Sequence, residues 1–473
     1  MKKLITALLL CCVVAPAQSH PAVAIRNARI VTVSGPVINK GTVVVRNGLI
    51  EAVGENVAVP VDALLVEGEG LTVYPGLIDA LSMWGQPGGA PAAAAAAGRG
   101  GRGTTTTAMP AAAAPAVAMG LGAMTAPVER ARGPEDRPQT TSWVKIADEI
   151  NATDRRIESA RSAGFTTAVT FPTRGIFAGQ GAVIDLISGE KAGEMVVASP
   201  VGQYISIGRT GGFGGGGGGG GFPSSLMGYI AYLRQIYLDA EHYKLVKDAY
   251  AKNPNGMQRP EYDRALEGVL DSPRILLPAN RLVEIDRMLR LAADLKQPFI
   301  LYGGRETYRP EAAALLKKAN IPMLLSLKWP EKTRDADPED VDSMRTLETR
   351  DKAASAASVL QKARVKFAFY SDGLETPKEL QSAIKKALDA GLSREDALRA
   401  LTLSPAEIFQ VADRVGSIEK GKIGNLVVTR GEIFDDRTKV EMIFVDGRKY
   451  MPAVDAAPMG GRGMATVDPG VKQ

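Results

Sequence analysis

Apolar positions along the chain fall into distinct textures. From Ala22 to Val73, short valine- and isoleucine-rich runs (AVAIRNARIVTVSG, GTVVVRNGLIEAVG, ALLVEGEGLTVYPG) are separated by Asn-Gly and Gly-Pro. Such runs read as β-strands joined by tight turns. The same texture returns in GSIEKGKIGNLVVTRGEIFDDRTKVEMIFVDGRKY near the C-terminus. Residues 22–73 and 411–453 are therefore predicted to pair into one small β-sandwich.

Between them, over residues 74–410, apolar strand-length runs alternate with helical patterns. GFTTAVTF follows a helix containing Ile157 and Ala160, and PRILLP precedes one carrying Val283, Ile285, Met288, Leu289 and Leu291. QPFILYGG leads into PEAAALLKKAN, which IPMLLSLKW follows. VKFAFYSDG precedes a helix with Thr376 as N-cap, Pro377 and Glu379 behind it, and Gly391 as its stop. Ser393 with Asp396, and Ser404 with Pro405 and Glu407, mark two further helix starts. Repeated βα units over this length predict an α/β fold: a TIM-like (β/α)8 barrel with helices outside.

Two segments break the pattern. Residues 86–140 are dominated by Ala, Gly and Thr and read as a disordered or loose excursion. Residues 209–222 contain an unbroken glycine run, Gly214 to Gly221, which matches a nucleotide-binding glycine motif only trivially. It reads as a flexible loop. Residues 454–473 read as a disordered tail.

The N-terminus changes the picture of compartment. Lys2 and Lys3, an apolar run from Leu4 to Val14, and Ala15 and Ala17 in an A-x-A arrangement make residues 1–19 a secretory signal peptide, with cleavage after Ala17. The run is too short to span a bilayer. The expected location is periplasmic or secreted, with no membrane attachment after cleavage. Cys11 and Cys12, the only cysteines, leave with the signal, so the mature chain has no disulfide or thiol chemistry. With 57 basic and 52 acidic residues the net charge is +5. Losing Lys2 and Lys3 lowers it to about +3, which does not call for nucleic acid or an anionic membrane as partner. The chain has two histidines, His20 and His242. His242 falls opposite the apolar stripe Leu226, Ile230, Leu233 and Tyr237 of a long helix and should be solvated. This inventory builds no Ser-His-Asp triad, Cys-His pair or His-rich zinc site.

Several stretches together resemble the amidohydrolase superfamily, in its imidazolonepropionase-like, cyclic-amide-hydrolase branch. NARIVTVSG, GTVVVRNGLIEAVG and YPGLIDA are similar to its N-terminal β layer and first barrel strand. AGFTTAV is similar to its second strand, and GQGAVIDL to a loop of this branch. ALTLSPAEIFQVADRVGSIEKGKIGNLVV and KVEMIFVDGR are similar to its C-terminal end. The resemblance runs from Ala22 to Tyr450 apart from the low-complexity segments. It implies a barrel, a composite β-sandwich, and a site at the C-terminal ends of the strands.

It also implies one or two divalent metals, such as zinc. The family's ligands are an H-x-H pair after strand 1, histidines after strands 5 and 6, an aspartate after strand 8, and a bridging lysine or glutamate after strand 4. In this chain the H-x-H pair falls on Leu81 and Met83, the strand-5 histidine near Pro278, and the strand-6 histidine on Tyr302. Asp372 in FYSDG holds the strand-8 position, where the family's aspartate is both ligand and general base. Asp79 is also present, at a position that is not a ligand in the family. Leu, Met, Pro and Tyr do not replace imidazoles as zinc ligands, so no metal or other cofactor is expected.

Three readings of function follow. One is the inherited activity, a hydrolase of carbon–nitrogen bonds other than peptide bonds, such as cyclic amides. A second is a catalytically inactive binding or regulatory subunit, as a homo-oligomer or paired with an active relative. A third is a metal-free enzyme of small molecules, with Asp372 catalytic and Tyr302, Asn280, Arg281, Arg305, Glu306 and Lys328 as binding candidates near predicted strand ends.

Overall fold

A computed structural model describes residues 22–87, 137–188, 191–207, 223, 225–332, 341–374, 376–435 and 438–452. The leader, the tail and the glycine run lie outside the described residues, as does most of the first low-complexity segment.

The chain starts with five strands, β1 (Val23–Ile30), β2 (Ile38–Arg46), β3 (Leu49–Gly54), β4 (Leu64–Glu67) and β5 (Thr72–Pro75). β1 pairs antiparallel with β2 and parallel with β4 and β5 along successive parts of its length. The β2–β3 turn is Asn47-Gly48, with both φ angles positive at 51° and 80°. Asparagine tolerates that region and glycine has no Cβ to clash in it, which is why this pair makes the turn.

The barrel begins with β6 (Leu77–Ser82), α1 (Arg156–Ser162) and β7 (Phe165–Thr170). β8 (Phe177–Gln180) and β9 (Ala182–Asp185) follow on either side of Gly181. β10 (Val196–Ala198) flanks β9, and β11 (Gln203–Ile205) continues the wall. After α2 (Leu226–Lys252) and α3 (Arg264–Leu270) comes β12 (Ile275–Ala279). Then follow α4 (Leu282–Leu295), β13 (Phe299–Gly303), α5 (Pro310–Ala319) and β14 (Met323–Ser326). Helices α6 (Met344–Lys352) and α7 (Ala356–Lys362) precede β15 (Phe367–Tyr370). Helices α8 (Pro377–Asp389), α9 (Arg394–Ala400) and α10 (Leu403–Ile408) end the barrel.

β16 (Leu426–Arg430), β17 (Lys439–Val445) and β18 (Arg448–Tyr450) then return to the first sheet, β16 lying antiparallel to β5 with Leu426 opposite Pro75 and Val428 opposite Val73. The two ends of the chain thus form one composite sheet, in the order β18-β17-β16-β5-β1-β2-β3. Its apolar face holds Ile25, Ile30, Val43, Val45, Ile50, Leu426, Val428 and Phe444.

β11 to β15 run parallel to one another, as do β6 and β7. One segment departs from the uniformly parallel arrangement. β8 and β9 run antiparallel to both neighbours, with Gln180 opposite Gln203 on β11 and Thr167 on β7 opposite Asp185. Gly181 at their junction lies against the Phe171 ring, where a Cβ would clash. Between β15 and β6 the connection runs through Asp79 on β6, which accepts hydrogen bonds from Ser371 N at 3.0 Å and Ser371 Oγ at 2.5 Å. The barrel interior is filled by Ile78, Ala80, Val169, Phe171, Leu276, Ile300, Leu324 and Ala368. It is a packed core and not a pore.

The helix signals act as local chemistry. Thr376 Oγ1 accepts from Glu379 N at 3.2 Å, and Glu379 Oε2 accepts from Thr376 N at 3.2 Å. Ser393 Oγ accepts from Asp396 N at 3.1 Å. Ser404 instead lies inside α10, whose N-cap is Thr402. α4 buries Ile285, Met288, Leu291, Ala292 and Leu295 on one face. α2 buries Tyr229, Tyr232, Leu233, Ile236, Tyr237 and Ala240; of the expected stripe Leu226 is exposed and Ile230 half-buried, and His242 is exposed.

The described ends of the segment 86–140, expected to be a loose excursion, are packed against the barrel. Gln86 is buried and donates to Phe171 O at 2.6 Å. At the other end Thr140 bonds Tyr232 Oη, which donates to Pro138 O at 3.1 Å, and Arg137 pairs with Asp263. Buried carbonyls need donors, and these residues supply or satisfy them. Residues 88–136 lie outside the described residues.

Candidate functional site

Parallel strands deliver the residues that follow their C-terminal ends to one rim, so the mouth is read from what stands just past β6, β11, β12, β13, β14 and β15. Asp372 is two residues past β15. Its φ of 51° is left-handed, a region aspartate tolerates, and Gly373 continues the turn at 82°. Leu374 N closes that turn on Ser371 O at 3.1 Å. Ser326, the last residue of β14, donates its hydroxyl to Asp372 Oδ2 at 2.6 Å and accepts from Lys328 N at 3.0 Å. Burial pushes the Asp372 carboxyl above its ordinary range, opposed by the Ser326 hydrogen bond and by the charges of Arg305 and Lys328.

Beneath Asp372 the barrel is aromatic. Tyr302 stacks on Tyr204, with ring centroids 5.3 Å apart and planes at 28°, and donates its hydroxyl to Ile205 O at 3.2 Å. Tyr370 is buried beside them, and burial with the nearby Asp372 charge holds its phenol well above the usual range. Asp79 is fully buried, and its carboxyl is pushed up to about 7 by desolvation, against the hydrogen bonds from Ser371 and Leu81 N.

The structure brings together only part of the expected set. Asp372, Tyr302, Arg305 and Lys328 belong to the mouth, with the two cations exposed. Arg281 instead pairs with Glu284 at 2.8 Å, at the start of α4. Asn280 packs against Gly303, where an added Cβ would meet its Oδ1 at 2.5 Å. Glu306 is buried; it accepts from Leu282 N at 3.0 Å and from Arg345 Nη2 at 2.6 Å. It faces a groove of about 730 Å³ lined also by Leu282, Val283, Met344 and Leu347, and Asp372 does not line this groove. Ser326 and Tyr370 are not among the candidates read from the sequence; their only signal there is that each closes an apolar strand run. Tyr204 stands in a strand of three residues, too short to leave a periodic signal.

The residues present do not fit the family's metal. Leu81 is buried in the barrel core, and Pro278 sits opposite Tyr302 across β12 and β13 with no lone pair suited to zinc. Among the described residues no group of three or more His, Cys, Asp or Glu side chains is placed to hold an ion. The missing imidazoles cannot come from elsewhere in the chain, because its histidines are only His20 and the exposed His242.

No curated protein matches the chain in sequence. The profile of the family described as "Amidohydrolase family" matches residues 241–450. Among solved structures, an amidohydrolase from Thermotoga maritima MSB8 is 25% identical with a TM-score of 0.68, covering 91% of this chain and 100% of its own. A prolidase complexed with N-methylphosphonate-L-proline shares the fold at 14% identity and TM-score 0.52, over 91% of this chain and all of its own. Phenylurea hydrolase B does so at 15% identity and TM-score 0.51, over 91% and 96%. By its barrel, its composite sheet and the sequence of residues 241–450, the chain is similar to the amidohydrolase superfamily.

Proposed function

We propose that this chain uses the amidohydrolase fold to bind a small molecule at the barrel mouth and does not carry out the metal–water hydrolysis of carbon–nitrogen bonds. The observation that carries this reading is the side chains at the ligand positions. Leu81, Met83, Pro278 and Tyr302 stand there, and Tyr302 is locked by its stack on Tyr204 and its bond to Ile205 O. A phenol held in this way, well above its usual pKa by burial, is neutral and a poor partner for a cation. Asp372 keeps the place of the family's general base, but its carboxylate is engaged by Ser326. The signal-peptide pattern of residues 1–19 supports action after export. Among the described residues no helix is long and apolar enough to cross a membrane.

The test is hydrolysis by the purified mature chain of cyclic amides and of dipeptides, with added zinc and with chelator. No turnover above the uncatalysed rate is expected in either condition. Turnover that needs zinc would overturn the proposal. Turnover that survives chelation and is lost in Asp372→Asn would make this a metal-free enzyme.

A further inference from the structure

Three neighbouring parallel strands deliver charge to one level of the mouth. Arg305 lies two residues past β13, Lys328 two past β14 and Asp372 two past β15. Ser326 and Tyr370 are opposite each other in the β14–β15 ladder, so Lys328 and Asp372 leave their strands in step. Other arginines on this side of the barrel are matched: Arg281 by Glu284, Arg309 by Glu348, Arg345 by Glu306 and Arg350 by Asp342. Arg305 and Lys328 form no ion pair among the described residues, and both are exposed. The carboxylate they share, Asp372, spends its short hydrogen bond on a serine hydroxyl. Among the described residues past these three strands, two cations, Arg305 and Lys328, thus face one carboxylate, Asp372.

We propose that this mouth is a receptor for the carboxylate of a small organic acid, gripped by Arg305 and Lys328, with Asp372 restricting it to monoanions. The inference rests on the binding function proposed above. A guanidinium presents parallel N–H donors that match the two oxygens of a carboxylate, and the lysine adds a point charge. A second negative charge on the ligand would face Asp372 with no cation left to match it. The rings of Tyr204, Tyr302 and Tyr370 lie buried beneath the rim, so the grip on the acid comes from the two cations.

The experiment is calorimetric titration of the mature chain at low salt with benzoate, benzamide and inorganic phosphate. It is repeated on Arg305→Gln and Lys328→Gln, with Arg290→Gln as a control, because Arg290 is exposed and pairs with Asp286 on α4. Benzoate should bind at least about tenfold more tightly than benzamide or phosphate. Each rim variant should lose at least about tenfold in benzoate affinity, at an unchanged melting temperature, and the control should lose none. Equal affinity for benzoate and benzamide, tighter phosphate binding, no benzoate binding, or indifference to both rim substitutions would overturn the inference. The two proposals fail separately. Zinc-dependent turnover with benzoate selectivity intact refutes the binding function alone, whereas no turnover and no selectivity refutes the anion site alone.

Discussion

Asp79→Asn isolates the electrostatics of the joint between β15 and β6. In the folded chain the Asp79 carboxyl is raised from 3.8 to about 7, chiefly because burial disfavours its charge. For an acid whose folded pKa is raised, the penalty is absent below the unfolded value, grows as pH rises between the two values, and is complete above the folded one. A tenfold change in an ionisation constant corresponds to about 1.4 kcal/mol, so the fully developed cost is about 4 kcal/mol. Roughly 3 kcal/mol of it should develop between about pH 5 and pH 8. Asparagine is neutral and nearly isosteric. Its Oδ1 can still accept from Ser371 N, and its amide can donate to Ser371 Oγ in place of the bond now running the other way. The assay is urea unfolding of both proteins across that pH range. Asp185, also buried and raised to about 7, titrates in both and cancels in the difference. The variant should gain about 3 kcal/mol on the natural chain from about pH 5 to about pH 8. Stability curves that run parallel, differing by less than about 1 kcal/mol over the range, would refute the reasoning.

Other perturbations test the packing that fills the mouth and the barrel. Tyr302→Phe removes one hydrogen bond and should cost about 1 kcal/mol in urea unfolding. Tyr302→Ala opens a cavity beside Tyr204 and should cost about 3–5 kcal/mol; equal costs for the two would mean that the ring is not packed as described. Gly181→Ala drives a Cβ into the Phe171 ring and should cost about 1–3 kcal/mol, with partial recovery in the double variant with Phe171→Leu; a neutral effect would place the β8–β9 junction elsewhere.

What the sequence made legible was mostly local or patterned. The α8 capping box is written in Thr376 and Glu379, three residues apart, and forms as read. The composite sheet was legible because valine-rich runs recur at both ends of the chain, punctuated by Asn47-Gly48 in one and Asp446-Gly447 in the other. The third wall segment was not: GQGAVIDL reads as a loop, yet Gln180 ends strand β8 and Ala182–Asp185 form strand β9, short runs interrupted by Gly179 and Gly181. Glu306 shows a different limit. It lies next to Arg305, one residue further past β13, but its partner Arg345 is 39 residues away on α6, and that long-range pair turns it out of the mouth. Gln86 and Thr140 were absorbed into a low-complexity segment by composition, although each supplies a hydrogen bond to a buried partner. Asp372 was legible through its motif, whereas the serine that binds it comes from the neighbouring strand, 46 residues earlier.

The most direct test of the central claim is the zinc content of the mature protein after incubation with excess zinc and gel filtration, measured by elemental mass spectrometry. With Leu81, Met83, Pro278 and Tyr302 at the ligand positions and Asp372 alone among the family's ligands, the protein should carry well under one equivalent. One full equivalent of zinc, lost on Asp372→Ala, would contradict the account.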